Sequence, residues 1–233
     1  MGVKMNKKEI RKSILKVRDE ISVENRRKYD GKIREYILTH PVYKNAQVIL
    51  AYASYQSEVD TAALIERALA DGKYVFAPKV FGEEMEFWQI TALEDLQEGY
   101  RGIPEPSESV SFPAWLARHC ISEGVRGDMC ETENSANMEF TADCGIRICH
   151  TMMWMPGTAF DQERHRIGYG KGFYDRYLSR LTDLEKGICL ECHTELRLTT
   201  AALAYSCQVL EQIPYESHDI RPDMLITEKG VLQ

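Results

Sequence analysis

The sequence predicts an α/β fold on a largely parallel sheet, and three observations carry that expectation. Near-continuous apolar runs of strand length occur at 46–53 and 148–155, as strands covered on both faces require. The first is followed by a helical apolar pattern and a second strand, giving a βαβ unit. The second leads through a glycine-rich turn into another helix. At 233 residues, 44% hydrophobic and 28% charged, the chain has material for one sizeable core, and a single domain over 1–233 is expected.

Each element has its own signal. Residues 6–21 predict an amphipathic helix, with Ile10, Ile14, Val17 and Ile21 on one face and lysines and arginines on the other. After the strand at 46–53, Asp60 or Thr61 is the natural N-cap of a helix that buries Leu64, Ile65, Ala68 and Leu69. Lys73 to Ala77 is the next strand, ended by Pro78, and Met85 to Ile90 is another. From Ser107 to about Arg147 the pattern loosens into a polar, cysteine-bearing stretch with one short helix around Pro113 to Ile121, read as a surface insertion. Ile148 to Met155 resumes the sheet. A helix from Phe173 to about Leu184 follows, then a strand or hairpin at Gly187 to Leu198, a strand at Ala201 to Ser206 and a closing strand at Asp223 to Thr227.

Composition excludes several classes. No apolar run approaches the roughly 20 residues that cross a bilayer. The polar start of the chain, with Asn6 where myristoylation would want Ser or Thr, carries no export or lipidation signal, so a cytoplasmic protein without a membrane partner is expected. Seven irregularly spaced cysteines fit reduced thiols better than a disulfide framework. Cys189, Cys192 and His193 match a haem-attachment spacing, and Cys120, Cys130, Cys144, Cys149 and His150 lack the close pairs of a zinc knuckle; both patterns are read as chance. A formal net charge of -7 argues against nucleic acid, which demands a broad basic face. An anionic small molecule needs only a local cluster of cations. Two are present: Lys7, Lys8, Arg11 and Lys12, and Arg164, Arg166 and Lys171.

The second cluster surrounds the most informative segment, Pro156 to Leu178. Gly168, Gly170 and Gly172 alternate with Tyr169 and Lys171, so the backbone can come close to a ligand without Cβ obstruction. A helix opens at once, with Asp175 and Arg176 in its first turn, and the free N–H groups and dipole of a helix start attract anions. No GK[ST] follows and the third glycine is misplaced for a dinucleotide fingerprint, so neither standard phosphate motif applies.

Several segments fit one known pattern in order: Lys7-x-x-x-Arg11, Ser57-Glu58-Val59-Asp60-Thr61, Pro78-Lys79-Val80, Gly102-Ile-Pro-Glu-Pro106, Pro156 to Leu178, Ala204-Tyr205-Ser206-Cys207-Gln208, and Ile213-Pro214 leading to His218-Asp219 and Asp223-Met-Leu-Ile-Thr-Glu. Together they resemble the 5-formyltetrahydrofolate cyclo-ligase family, also called methenyltetrahydrofolate synthetases, over nearly all the chain outside Ser107 to Arg147. The resemblance implies a three-layer αβα fold of the kind shared by sugar-phosphate isomerases and CoA transferases. It also implies a monomer that binds ATP, magnesium and a reduced folate, and converts 5-formyltetrahydrofolate to 5,10-methenyltetrahydrofolate with release of ADP and phosphate. The formamide oxygen is a poor leaving group. In the implied chemistry it first takes the γ-phosphoryl group, N10 closes the ring and phosphate departs, a reaction governed by positioning and charge neutralisation.

Carried over position by position, the resemblance gives Lys7, Lys8 and Arg11 to the ATP phosphates and Arg166 to Tyr174 to a joint ATP and substrate loop. There Arg166 and Lys171 are the catalytic cations, Gly168, Gly170 and Gly172 lend N–H groups, and Tyr169, Phe173 or Tyr174 packs on a ring system. Asp175 and Asp219 would hold magnesium. Glu58 would grip the pterin, and Ala53 would leave room for it. Gln208 matches without an assigned role. Two departures stand out: Arg164 occupies a position where the family usually carries glycine, and the insertion is extra. Two other readings remain: a nucleotide- or folate-binding protein without turnover, and a sugar-phosphate or CoA-ester enzyme of related fold.

Overall fold

Helix α1 (Lys7–Asp19) starts where Asn6 and Glu9 close a capping box: Asn6 Oδ1 accepts from the N–H groups of Lys8 and Glu9, and the Glu9 carboxylate accepts from Asn6 N–H. In the computed structural model, which describes residues 5–121, 147–192 and 194–233, the buried stripe of α1 is Ile10, Ile14 and Arg18. Val17, expected on that face, is 42% exposed. It lies about 100° round the helix from Arg18, and it is the 10, 14, 18 row that meets the rest of the protein. Two helices that the apolar pattern did not announce follow: α2 (Val23–Thr39), capped by Ser22, and α3 (Pro41–Asn45), capped by His40. Of α2 only Ile33 and Ile37 are buried, too sparse a stripe in a polar helix to stand out.

A seven-stranded sheet follows, assembled from β1 (Val48–Leu50), β2 (Tyr74–Phe81), β3 (Glu84–Ile90), β6 (Arg147–Met155), β9 (Thr194–Leu203), β11 (Met224–Thr227) and β12 (Gly230–Leu232), in the order β12-β11-β9-β6-β1-β2-β3. The five inner strands are parallel, and β3 and β12 are antiparallel edges. A small ribbon pairs β4 (Leu96–Glu98) with β5 (Pro104–Pro106), and a three-stranded sheet joins β7 (Ala159–Asp161), β8 (Arg166–Ile167) and β10 (Val209–Leu210). Helices cover both faces of the main sheet. On one, α2, α3 and α4 (Ala62–Ala70) bring Ile33, Ile37, Tyr43, Leu64, Ile65 and Ala68 against Ile49, Ala51, Val75 and Trp154. On the other, α5 (Phe112–Ile121) and α6 (Phe173–Cys192) bring Phe112, Trp115, Leu116, Tyr177, Leu178 and Leu181 against Val48, Leu50, Phe76 and Met153. This is the expected three-layer αβα arrangement.

Three expectations need correction. Strand β2 runs through Pro78 to Phe81. Phe76 C=O accepts from Ala51 N–H on the β1 side, Pro78 faces the same side two residues on, and β1 has already ended there, so no ladder bond is lost. Helix α6 continues to Cys192 and β9 runs unbroken from Thr194 to Leu203, in place of a break at Leu184 and two separate strands; one glycine, Gly187, costs a helix interior only about 1 kcal/mol. Finally, the surface insertion does not begin at Ser107. Val110 C=O accepts from Gln89 N–H of β3, and Phe112, Trp115 and Leu116 of α5 are core residues at i, i+3, i+4 spacing. Cys130, Cys144, His193 and the remainder of the expected insertion lie outside the described residues.

Candidate functional site

Strands β1 and β6 are parallel neighbours, but the chain leaves β1 through α4 on one face of the sheet and leaves β6 through α6 on the other. The order therefore reverses between them, and the crevice beyond their carboxyl ends is where an open α/β sheet binds ligands. The two segments that face each other there are residues 51–61 and 156–172. Helix α1 lies against both.

The second segment is built to hold an unusual backbone. Asp161 is 2% exposed; its carboxylate accepts from the N–H groups of Glu163, His165 and Ile213 and sits 3.0 Å from His165 Nδ1. Inside this turn Arg164 has φ 68°, a left-handed conformation suited to glycine, and its Nε donates to Pro222 C=O at 3.2 Å. Gln208, 1% exposed, donates from Nε2 to Gly157 C=O and Thr158 C=O and so fixes the start of the loop. Beyond β8, Gly170 and Gly172 have φ 93° and 65°. Among the described residues, none of the N–H groups from Gly168 to Tyr174 donates to another protein group. Such a run of bare amides at a helix start is an anion cradle.

The surrounding cations divide into two sets. Arg166, with its side chain 5% exposed, gives Nη2 to both Asp175 oxygens at 3.0 Å, and Lys7 Nζ reaches Asp219 at 2.7 Å and Glu216 at 2.9 Å. Burial alone would push the Asp219 carboxyl up, but hydrogen bonds from Lys7 and from Glu216 N–H outweigh it and hold it below its ordinary value. The other set is open. Lys171 is exposed and, among the described residues, makes no ion pair; Arg11 donates Nε to Gly168 C=O at 2.7 Å, which leaves its outer nitrogens beside Gly170. A cavity of about 350 Å³ borders this region, lined by Glu84, Asp175, Arg176, Ser179, Arg180 and His218. A larger one of about 540 Å³ lies on the acidic side of the Asp161 turn, with Glu163 and Glu211, and is unsuited to phosphate.

Across the crevice Glu58, 9% exposed, takes Tyr169 O–H on Oε1 at 2.6 Å and Tyr55 N–H on Oε2 at 2.9 Å. Burial raises its pKa above the ordinary value, and hydrogen bonds from Tyr169 and Tyr55 and the Arg18 charge offset only part of that rise. Arg18 donates Nη1 and Nη2 to the same Tyr169 oxygen at 3.1 Å and Nε to Ser57 Oγ at 2.9 Å.

A family model described as the 5-formyltetrahydrofolate cyclo-ligase family matches residues 3–122 and 147–228. The chain belongs to the 5-formyltetrahydrofolate cyclo-ligase family. The mouse 5-formyltetrahydrofolate cyclo-ligase is 27% identical over 210 residues, covering 89% of this chain and 86% of that protein, and the Haemophilus influenzae cyclo-ligase is 23% identical over 217 residues, covering 92% and 93%. Among solved structures, the Aquifex aeolicus 5,10-methenyltetrahydrofolate synthetase superposes with a TM-score of 0.69 at 29% identity, covering 98% of this chain and 93% of its own. A Mycoplasma pneumoniae 5,10-methenyltetrahydrofolate synthetase, at 21% identity and a TM-score of 0.61, shares the fold. The family match breaks off at residue 122 and resumes at 147, which places the extra segment of this cyclo-ligase after α5.

Within this cyclo-ligase the structure brings Arg11, Gly168, Tyr169, Gly170, Lys171 and Glu58 together at one crevice. Ala53, 6% exposed, lies just past β1 on the same side. Lys8 is exposed and, among the described residues, its side chain makes no hydrogen bond or ion pair with the loop. Phe173 packs under Arg176, and Tyr174 packs on Phe87 and beneath Arg166, so both serve the core as much as any ligand. Asp175 and Asp219 do not form a prepared metal site: each carboxylate is held by a cation, and no group of three His, Cys, Asp or Glu side chains able to hold a metal exists among the described residues. Sequence reasoning missed Arg18. Its signal was position: it stands seven residues after Arg11, on the same helix face.

Proposed function

We propose that this chain joins N5-formyl and N10 of 5-formyltetrahydrofolate into the 5,10-methenyl bridge at the expense of ATP, releasing ADP and phosphate. The supporting observation is the run of unengaged amides from Gly168 to Tyr174, which includes Lys171 and whose Tyr169 hydroxyl reaches the carboxylate of Glu58. The triphosphate tail takes the amides and the charges of Lys171 and Arg11. Glu58 accepts the paired N–H donors of the pterin, a geometry that a carboxylate fits. The formyl oxygen then lies between them, where the amides and Lys171 neutralise charge as the phosphoryl group moves; fixed donors of this kind are often the largest contribution to catalysis. Arg166, paired with Asp175, holds the loop and the first turn of α6 in register rather than meeting phosphate directly.

Magnesium belongs to the proposal as a companion of the nucleotide, which keeps the metal largely on phosphate oxygens and water; its charge would further offset the phosphates. Cytoplasmic residence and a monomeric state are part of the same reading. The test follows the strong ultraviolet absorbance of the methenyl product. We expect it to appear only when ATP and 5-formyltetrahydrofolate are supplied together, and to stop when magnesium is chelated. Binding of both ligands without product would leave a binding protein; turnover of a sugar phosphate or CoA ester in its place would discard the assignment.

A further inference from the structure

Arg18 is 1% exposed, yet it makes no direct ion pair with any described carboxylate. A buried guanidinium ordinarily requires one. Its charge instead passes through two hydroxyls. Guanidinium nitrogens can only donate, so Tyr169 oxygen must accept from Arg18 Nη1 and Nη2 and spend its own proton on Glu58 Oε1. By the same logic Ser57 Oγ accepts from Arg18 Nε and donates to Asp19. Tyr169 itself is 49% exposed, so its ring leans into the crevice while its hydroxyl is pinned at the bottom. The result joins α1, the residues after β1 and the glycine-rich loop in one chain of hydrogen bonds.

We infer that Arg18 is a positioning residue for the folate site, acting through the Tyr169 hydroxyl to fix the rotamer in which the Glu58 carboxylate meets its ligand. This rests on the proposed function for the identity of the ligand, and on geometry alone for the network. The other groups facing Glu58 do not replace it. Tyr52, Tyr174 and Tyr205 are held neutral by burial, which raises each of them; Tyr55 offers only its backbone N–H. Asp19 is tied to Ser57, and Asp30 accepts from Tyr205 and from Asp60 N–H. Without the Tyr169 hydrogen bond and the Arg18 charge, only burial and one N–H would act on Glu58. Its protonation would then move to higher pH.

The experiment compares wild type, Tyr169→Phe, Arg18→Met and the double variant in two measurements. The first is the titration of Glu58 followed by carboxyl carbon NMR, which needs no substrate. Both single variants should shift it to higher pH, and the double variant should shift it by less than their sum, since the Tyr169 hydrogen bond is common to both while the Arg18 charge acts in part on its own. The second is the pH dependence of KM for 5-formyltetrahydrofolate: the acid limb should move upward with the titration, KM should rise about tenfold at mildly acidic pH, and kcat should change far less. Tyr169→Phe, altered at a half-exposed side chain, keeps the test decisive if Arg18→Met fails to fold. An unmoved Glu58 titration, or additive shifts in the double variant, overturns the network. A shifted titration with unchanged KM overturns the folate-positioning role. An inert wild-type enzyme refutes the proposed function, while the titration still decides the network.

Discussion

At the scale of single residues, the site distinguishes cations that are already engaged from cations left for a ligand, and the two kinds should respond differently to substitution. Lys171 is exposed and unpaired among the described residues, so Lys171→Ala should leave melting unchanged and lower kcat about 10²- to 10³-fold, as loss of one transition-state donor does. Stopped-flow turnover beside calorimetry measures both; a normal kcat would remove Lys171 from the chemistry. Asp175 is different, because its two oxygens accept from Nη2 of the buried Arg166, whose other hydrogen bond goes to Pro156 C=O. Asp175→Asn should cost about 2–3 kcal/mol of stability, the usual loss when a charged hydrogen-bond partner is neutralised, and should reduce activity with it. Full stability in urea unfolding would show that the Arg166 pair contributes little. Sequence alone indicated which residues gather here but not which are spoken for: the Lys7–Asp219 pair joins segments that no local pattern connects, and nothing in the order of residues 156–178 shows that Arg166 turns back on Asp175.

At the scale of elements, legibility followed signal strength. The helix of α4 and the strands β1, β6 and β11 were readable, because buried parallel strands leave long apolar runs and α4 buries a full stripe. Helix α2 was obscured because it is mostly polar, whereas α5 was legible as a helix but assigned to an excursion, because it lies beside a run of Ser, Glu and Pro. Phe112 is fully buried and stacks edge-on against Phe76 at 5.3 Å. Phe112→Ala should therefore cost about 3–5 kcal/mol, whereas a residue in a surface loop would cost almost nothing; chemical unfolding decides between the two. The Asp161 turn supplies a second element-level prediction. A non-glycine residue pays about 1–2 kcal/mol in the left-handed region, partly offset here by the Arg164 bond to Pro222 and by the greater chain entropy that glycine loses. Arg164→Gly should thus raise stability by up to about 1 kcal/mol, and Arg164→Val should lower it, in a paired melting measurement. A rise with valine would mean that the turn adopts another conformation.

At the scale of the whole molecule, α1 is joined to the rest by Lys7 at its start, Arg11 in the next turn and Arg18 near its end, all on one face. The Lys7 end carries a pH signature. Two carboxylates raise Lys7 against the lowering effect of its burial, and Asp219 lies below its ordinary value. The pair contributes fully between the unfolded values of the two groups. That contribution is lost as pH falls through the depressed Asp219 pKa, and again as pH rises through the raised Lys7 pKa. Lys7→Met should lower stability near neutrality by about 1 kcal/mol, with the difference fading in strong acid; a difference that persists there would point to packing rather than charge. The two hydroxyl bridges below the crevice have a wider consequence. With Glu58 ionised they gather one guanidinium and two carboxylates, a surplus of negative charge, while the opposite rim offers Lys171 and Arg11. On the proposed function each substrate carries an anionic tail, so a molecule entering the wrong way round would meet repulsion, and the groove would sort its two visitors by polarity before either is recognised by shape.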